Sequence, residues 1–393
     1  MTLISPITAF LILPGLQILS LWSPPFPGRS IVFVSAIVAC AVILHSEKVS
    51  DDPQITYGLG MAWPSYLATI DRLLFSVPEA AFWRVGEKPG EALEYGMFGW
   101  KKLKWGAAQI FNPRGIHWNY QVKGIARTEG KREYRSKKAF VKSHVIQFVQ
   151  LCLGYDILHS FLVSQHRHVG SIGGDYTPLS DHPFIWSFAT TAAAAYVMFC
   201  GIQLNHLLTS ITFVGLGLSR PEDWPPLYGN IWDAFTVRRV WGCFWHKLIR
   251  RTLSSYAKFA VRTLRLTDET GAIVHLILTF TLSGIFHALP LRVMLGPDHH
   301  GLPLGTIFFF ASQSIAILFE EAVVSWYVRA TGGLAEVRVW HKVVGFLWTT
   351  MWLYWSLPFF LDDMFASGMM DASTIPFSVA RAVAGACGFT LKS

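Results

Sequence analysis

The sequence predicts an all-α fold, a polytopic transmembrane helix bundle of about 8 spans with two large cytosolic loops. Three observations predict it. Of 393 residues, 52% are hydrophobic and 15% charged, against roughly 25% charged in ordinary soluble domains. Eight runs approach the roughly 20 apolar residues that a helix needs to cross a bilayer. The basic residues between those runs collect in alternate segments, as they do when one side of a membrane retains them.

The eight runs are 3–22, 30–45, 54–75, 144–163, 184–218, 271–294, 305–325 and 342–361. The first has no charged leader and no small-residue cleavage site, so it reads as a retained helix. The second is short, and Asp71-Arg72 weakens the third. The run at 184–218 is long enough for a tilted helix or a helix plus a re-entrant piece. An apolar patch at 376–391 is too short to span. The whole chain, 1–393, reads as a single membrane domain. Within it lie a basic loop at 76–143, an amphipathic segment at 220–270 and a helix at 271–294.

Orientation follows from charge. The 76–143 loop contains "GWKKLKW" and "GKREYRSKK", the 220–270 segment holds eight Arg and Lys from Arg238 to Arg265, and 326–341 adds Arg329 and Arg338. With eight spans these three segments share one face, which the positive-inside rule makes cytosolic, and both termini become lumenal. The net charge of +8 is accounted for in this way, and no nucleic-acid partner is expected. Asp71-Arg72 reads as an intrahelical or interhelical ion pair near an interface.

Five scattered cysteines with no CxxC exclude a disulfide framework and a zinc site of the usual spacing. The histidines of "SQHRHVG" (164–170) and "PDHH" (297–300) lack cysteine or paired-carboxylate neighbours, so no metal is expected there. Inverted halves with paired broken helices, common in transporters, are not evident.

Chemistry concentrates at one position. Between Gly271 and Met294 there is no carboxylate and no lysine, and Arg292 is the only arginine, yet His287 sits inside the run. An ionisable group at mid-membrane costs a few kcal/mol, so it faces a protein interior or a wet cavity. His287 is either a neutral ring bonded to its surroundings or a functional group. Ser283, one turn earlier, shares its face; it could hold a ring nitrogen or bond back to its own helix. Gly284 permits close helix approach, and Pro290 suggests a kink. His275 points elsewhere and reads as structural.

The second constellation is "RRVWGCFWHKLIRR", 238–251. Trp241, Trp245, Leu248 and Ile249 fall at helical spacing with basic residues between them, which predicts an amphipathic helix at the cytosolic interface. It is either an anchor or a cavity mouth, with His246 beside it and Arg238, Arg239, Lys247, Arg250 and Arg251 available to an anionic ligand.

"VWGCFWHKLIR" followed by "LTFTLSGIFH" resembles the wax-synthase-like branch of the membrane-bound O-acyltransferases, and is most similar to its fungal terpenoid and meroterpenoid O-acetyltransferases. An upstream "NPRGIHWNYQVKG", 112–124, is similar to that branch's R-G-I-G-W-x-x-x-V-K element. The resemblance implies that His287 is the catalytic histidine and that His246 stands where related enzymes carry Asn or His. Trp241, Trp245, Ser283, Arg114 and Trp118 fall at its substrate-side positions, while His117 departs from the pattern, which more often has Gly there.

Acyl transfer to an alcohol fits these residues, because imidazole is the usual base near neutral pH and the oxyanion needs a donor, a role open to His246 or an unseen group. The expectation is acetyl-CoA or another acyl-CoA as co-substrate, no tightly bound cofactor, and a hydrophobic alcohol taken from the lipid bilayer, in the endoplasmic reticulum. A wax synthase acting on fatty alcohols is the nearest alternative, and a proton-coupled transporter the alternative of another class.

Overall fold

A computed structural model of the chain describes residues 4–125, 136–166, 177–296, 302–332, 337–371, 373, 375 and 378–386. "PDHH" and residues 167–170 of "SQHRHVG" lie outside these residues. Among them there is no strand, only an isolated bridge between Arg84 and Trp118.

The helices are α1 (Pro6–Trp22), α2 (Arg29–Leu44), α3 (Pro53–Gly60), α4 (Trp63–Phe75), the turn α5 (Pro78–Ala81), α6 (Trp100–Ile110), α7 (Lys137–His166) and α8 (Phe184–Gly215). They continue with the turn α9 (Val237–Arg239), then α10 (Arg250–Thr263), α11 (Asp268–Leu295), α12 (Leu304–Thr331), α13 (Val339–Ala366) and α14 (Val379–Ala386). Among the described residues five of these, α7, α8, α11, α12 and α13, are long and apolar enough to cross a membrane, while α1 and α2 are shorter apolar helices. The protein is therefore an all-α, multi-pass membrane protein.

The single span expected at 54–75 is corrected. The helix stops at Gly60 and restarts at Trp63. Pro64 explains the break, since it has no N–H to give the Gly60 carbonyl and its ring collides with the preceding turn. Gly58 and Gly60 weaken the same turn further. Both pieces start on helix-entry chemistry: the Asp52 carboxylate accepts from the Gln54 N–H at 2.8 Å ahead of Pro53, and Pro64 occupies the first turn of α4.

The chain forms two compact units, Met1–Lys123 with Lys247–Ala322, and Gly124–His246 with Val323–Ser393. In the first, α1 packs on α2 and α6, α2 on α4, and α10 on both α4 and α11. Its core includes Leu13, Ile37, Trp63, Ile70, Trp105 and Leu253. A buried ionic clamp joins the connecting segments. Arg29 grips Glu79 with two hydrogen bonds of 2.6 and 2.9 Å, and Lys102 approaches the same carboxylate at 3.1 Å. Lys102 and Arg29 also donate to the Ser23 carbonyl, at 2.9 and 3.3 Å. Burial pushes the Glu79 carboxyl upward, but the hydrogen bond and charge of Arg29, with Lys102, outweigh it and hold it below its ordinary value of 4.5.

Two close approaches fall in the C-terminal half of α11. A Cβ at Gly284 would lie 2.9 Å from the Ile307 Cα of α12, and a Cβ at Gly60 would lie 2.8 Å from the Pro290 Cβ. Only glycine lets these surfaces meet as they do.

In the second unit α7 packs along α8, α13 on α8, and α14 on α7. Asp156 accepts the Ala380 N–H at 2.8 Å and Asp362 the Leu179 N–H at 3.1 Å, tying the ends of these helices. Gly345 of α13 meets the Phe235 carbonyl so closely that any side chain would collide with it.

Gly284→Ala should lose about 1–3 kcal/mol of stability through overpacking against backbone, read as a lower melting temperature in detergent. Glu79→Gln leaves two buried cations uncompensated and should cost about 3–5 kcal/mol. Because the folded Glu79 titrates below its ordinary value, its contribution is complete above about pH 4.5 and is lost as pH falls through the folded value. Melting curves of the two proteins should therefore differ most near neutral pH and converge in acid.

Candidate active site

His287 lies on α11 between the two glycine-permitted approaches. Its Nδ1 donates to the Ser283 carbonyl oxygen at 2.7 Å, while the Ser283 hydroxyl stands 3.4 Å from the same nitrogen. Ser283 thus holds the ring through its backbone and not chiefly through its side chain. A carbonyl only accepts, so Nδ1 carries the hydrogen and the neutral ring keeps its lone pair on Nε2. That is the tautomer a base requires.

Aromatic rings set the plane of the imidazole. Phe310 of α12 stacks on it at 4.5 Å, and Trp63 meets it edge-on at 5.1 Å while stacking on Phe286 at 5.4 Å. Trp63 is fully buried, and its indole N–H has no hydrogen-bond partner among the described residues. His287 itself is only half-buried. Sequence reasoning missed Trp63, Phe286 and Phe310. The one signal for Trp63 was a Trp-Pro pair interrupting a weak span. His275 instead meets the Ser254 hydroxyl of α10 at 2.9 Å, a packing bond between two helices.

The amphipathic helix expected over 238–251 is not continuous. After α9 the chain makes one π turn, Val240–Phe244, closed by the Trp245 N–H on the Val240 carbonyl at 2.7 Å. It is then extended at Trp245, and helix resumes only at Arg250. The cause is a backbone partner: the Gly229 N–H donates to the Phe244 carbonyl at 2.8 Å, and the space for a Gly229 Cβ is filled by the Cys243 carbonyl. Trp241, Trp245, Leu248 and Ile249 therefore share no helix face. Tyr228 organises the turn, edge-on to Trp245 at 5.4 Å and to His246 at 6.1 Å. Trp241 meets Trp245 at 6.1 Å.

The boundary between units falls between His246 and Lys247. Trp241, Trp245, His246, Arg238 and Arg239 belong to one unit; His287, Ser283, Lys247, Arg250 and Arg251 belong to the other. The five basic residues differ in setting. Arg238 and Arg250 are exposed, and Lys247 is buried. Arg239 donates to the Asp233 carbonyl and carboxylate at 2.5 and 3.3 Å. Arg251 pairs with Asp71 at 2.8 Å, its guanidinium 4.9 Å from the Tyr120 ring centre and 5.1 Å from that of Phe82. Burial, and then the nearby charge of Arg72, lower the Arg251 pKa, which Asp71 partly restores.

Of the two expected forms of ion pair, Asp71 takes the interhelical one, with Arg251, and no intrahelical Asp71–Arg72 pair forms. Adjacent residues on a helix point to different sides, and Arg72 turns instead to the Gln109 side chain and carbonyl, both at 3.0 Å.

The 112–124 element is a tight turn in the first unit. Asn112 brackets it, donating to the Ile116 carbonyl and accepting the Ile116 N–H, each at 2.9 Å. Gly115 and His117 both take φ +63°. A Cβ at Gly115 would strike the Tyr120 ring at 2.6 Å, so glycine is required there twice over. Trp118 is packed between Trp105 and Tyr120 with Arg84 over its face. Arg114 is buried beside it in sequence, its pKa lowered by burial to about 10, and it remains a cation at neutral pH. The Trp118 ring packs inside the turn, and the Arg114 carbonyl accepts the Val122 N–H at 3.0 Å.

A tautomer-fixed imidazole in an aromatic cradle on a membrane helix places the chain among multi-pass membrane proteins with a polar group held inside a span. Residues 224–311, which contain both His246 and His287, match the model of the membrane bound O-acyl transferase family. Aspirochlorine biosynthesis protein F of Aspergillus oryzae is 30% identical over 234 residues, covering 57% of this chain and 90% of that protein. Acetyltransferase ple2 of Rhodocybe pseudopiperita is 30% identical over 263 residues, 66% of this chain and 65% of the relative. O-Mevalon transferase yanI of Aspergillus niger is 26% identical over 394 residues, 90% and 85% respectively. The chain belongs to the membrane-bound O-acyl transferase family and is an acyl-transferring enzyme.

His117 holds a left-handed backbone at a steric cost of roughly 1–2 kcal/mol, against the roughly 0.5–1 kcal/mol entropic penalty of glycine. His117→Gly should therefore stabilise the protein by about 0.5–1 kcal/mol, whereas His117→Ala should give no gain. Paired thermal melts check both.

Proposed function

We propose that the enzyme moves an acetyl group from acetyl-CoA to a hydroxyl on a hydrophobic terpenoid or meroterpenoid, as a step of fungal secondary metabolism. The observation that carries the chemistry is the 2.7 Å bond from His287 Nδ1 to the Ser283 carbonyl, which leaves Nε2 as the basic nitrogen. The relatives that bear the name acetyltransferase support the acetyl donor. The three relatives described above are named for biosynthesis, acetyl transfer and mevalon transfer, which supports a biosynthetic setting.

The alcohol reaches His287 from the bilayer, and the thioester enters from the cytosolic side. The exposed Arg250, in the same unit as His287, suits its phosphates. Nε2 takes the hydroxyl proton as the oxygen attacks the thioester carbonyl. The tetrahedral intermediate collapses with cleavage of the C–S bond, and the proton passes to the departing thiolate, giving the O-acyl product and free coenzyme A thiol. No covalent acyl-enzyme is needed. The Trp63 N–H, buried and unpartnered beside the ring, is a donor suited to the oxyanion. The three basic segments are separated by pairs of long helices, α7 with α8 and α11 with α12, so they share one face, which suits the cytosol.

His287→Ala should lower turnover by about 10²–10⁴-fold with an unchanged melting temperature, measured as thiol release from acetyl-CoA with extracted host alcohols. Trp63→Phe keeps the ring packing and removes the donor; kcat should fall by about 10²–10³-fold with little change in KM. Thiol release by His287→Ala at the wild-type rate would end the base assignment. Comparing metabolites with and without the gene should show a product heavier by one acetyl group.

A further inference from the structure

At the far end of α4 the first unit carries a recess of about 280 Å³, lined by Leu74, Phe75, Ser255, Lys258, Phe259 and Arg262. None of these residues belongs to the proposed acyl-transfer site. Its floor is the stacked pair Phe75 and Phe259, with ring centres 4.6 Å apart. Ser255, Lys258 and Arg262 lie three and four residues apart on α10 and so share one face. Lys258 and Arg262 are exposed, and neither has an acidic partner within salt-bridge distance among the described residues. The nearest carboxylate along α4, that of Asp71, is committed to Arg251.

The rim is apolar. Leu74 and Phe259 are about half exposed, as are Val77 and Leu264 just outside the recess. Two uncompensated cations above an exposed aromatic and aliphatic surface match a ligand with an anionic head and a hydrocarbon body. Pockets that enclose a whole small-molecule ligand run from about 300 Å³ upward. This recess therefore takes one end of its ligand and leaves the rest outside, against the exposed apolar side chains.

We propose that the recess between α4 and α10 binds the phosphate-bearing headgroup of an acidic glycerophospholipid, with Lys258 and Arg262 as its cationic ligands and the acyl chains lying over Leu74 and Phe259. The charge complementarity selects an acidic lipid over a zwitterionic one, because the acidic headgroup keeps a net negative charge for the two cations and the zwitterionic one has none. The site is separate from His287 and does not depend on the acyl-transfer reading.

The test titrates the purified full chain in detergent with dioleoylphosphatidylserine or dioleoylphosphatidylcholine and counts retained lipid by native mass spectrometry. Wild-type protein should retain the serine lipid on the order of tenfold more strongly than the choline lipid, since each basic residue near an anionic lipid adds a comparable increment. Lys258→Gln with Arg262→Gln should abolish that preference. Lys258→Arg with Arg262→Lys should keep it, as should a charge-matched control, Lys48→Gln with Arg329→Gln, at two exposed positions elsewhere. Equal retention of both lipids by wild type, an unchanged preference in the first double variant, or an equal loss in the control would overturn the proposal. So would displacement of the serine lipid by added coenzyme A, which would make the recess a nucleotide-phosphate site.

Discussion

Helix α11 is fixed in place by two contacts that only minimal side chains allow, Gly284 against the backbone of Ile307 and Gly60 against Pro290. His287 lies between them, three residues from each contact point on its own helix. In lipid there is no hydrophobic drive to press helices together, so association rests on close packing and on polar bonds. These two approaches supply the packing. They bring Phe310 from one neighbour and Trp63 from the other onto the imidazole, and the cradle exists because the backbones come this near.

The remaining constraint is polar. A ring nitrogen placed among aromatic side chains must find a partner, since a buried polar group without one costs free energy. His287 finds one in its own helix, at the Ser283 carbonyl. The tautomer is thus set locally, and only the plane of the ring depends on tertiary structure. Elsewhere in the same unit the charges are handled by sharing. One carboxylate serves Arg29 and Lys102, and one aspartate answers Arg251 while Arg72 is satisfied by an amide and two carbonyls.

Hydropathy alone located all five long helices, because a span is a property of a contiguous run. His287 was also legible, since an ionisable residue in an uncharged stretch is visible without any knowledge of neighbours. The partners were not. Trp63 and Phe310 meet His287 only through folding, and nothing local marks them as its neighbours. The break at Pro64 was readable in principle from Gly-x-Gly followed by Trp-Pro, but hydropathy averages over such a signal. The turn at 240–244 was hidden for a different reason: its period looked helical, and a backbone bond from Gly229 overrode that period. Asp71 and Arg72 show the same limit, for adjacency in sequence places two side chains on different sides of a helix.

The torsion at His117 changes what the 112–124 motif means. A glycine in a family signature is easily taken as a mark of catalysis or of ligand approach. Here the position is exposed, and what it demands is a left-handed turn that a histidine also tolerates. The signature therefore records a bend in the chain, and bends admit substitutes that reactive groups do not. Searches that insist on glycine at this position will pass over enzymes of the same architecture, while searches built on the turn, with Asn112 closing it and Gly115 beneath Tyr120, will recover them.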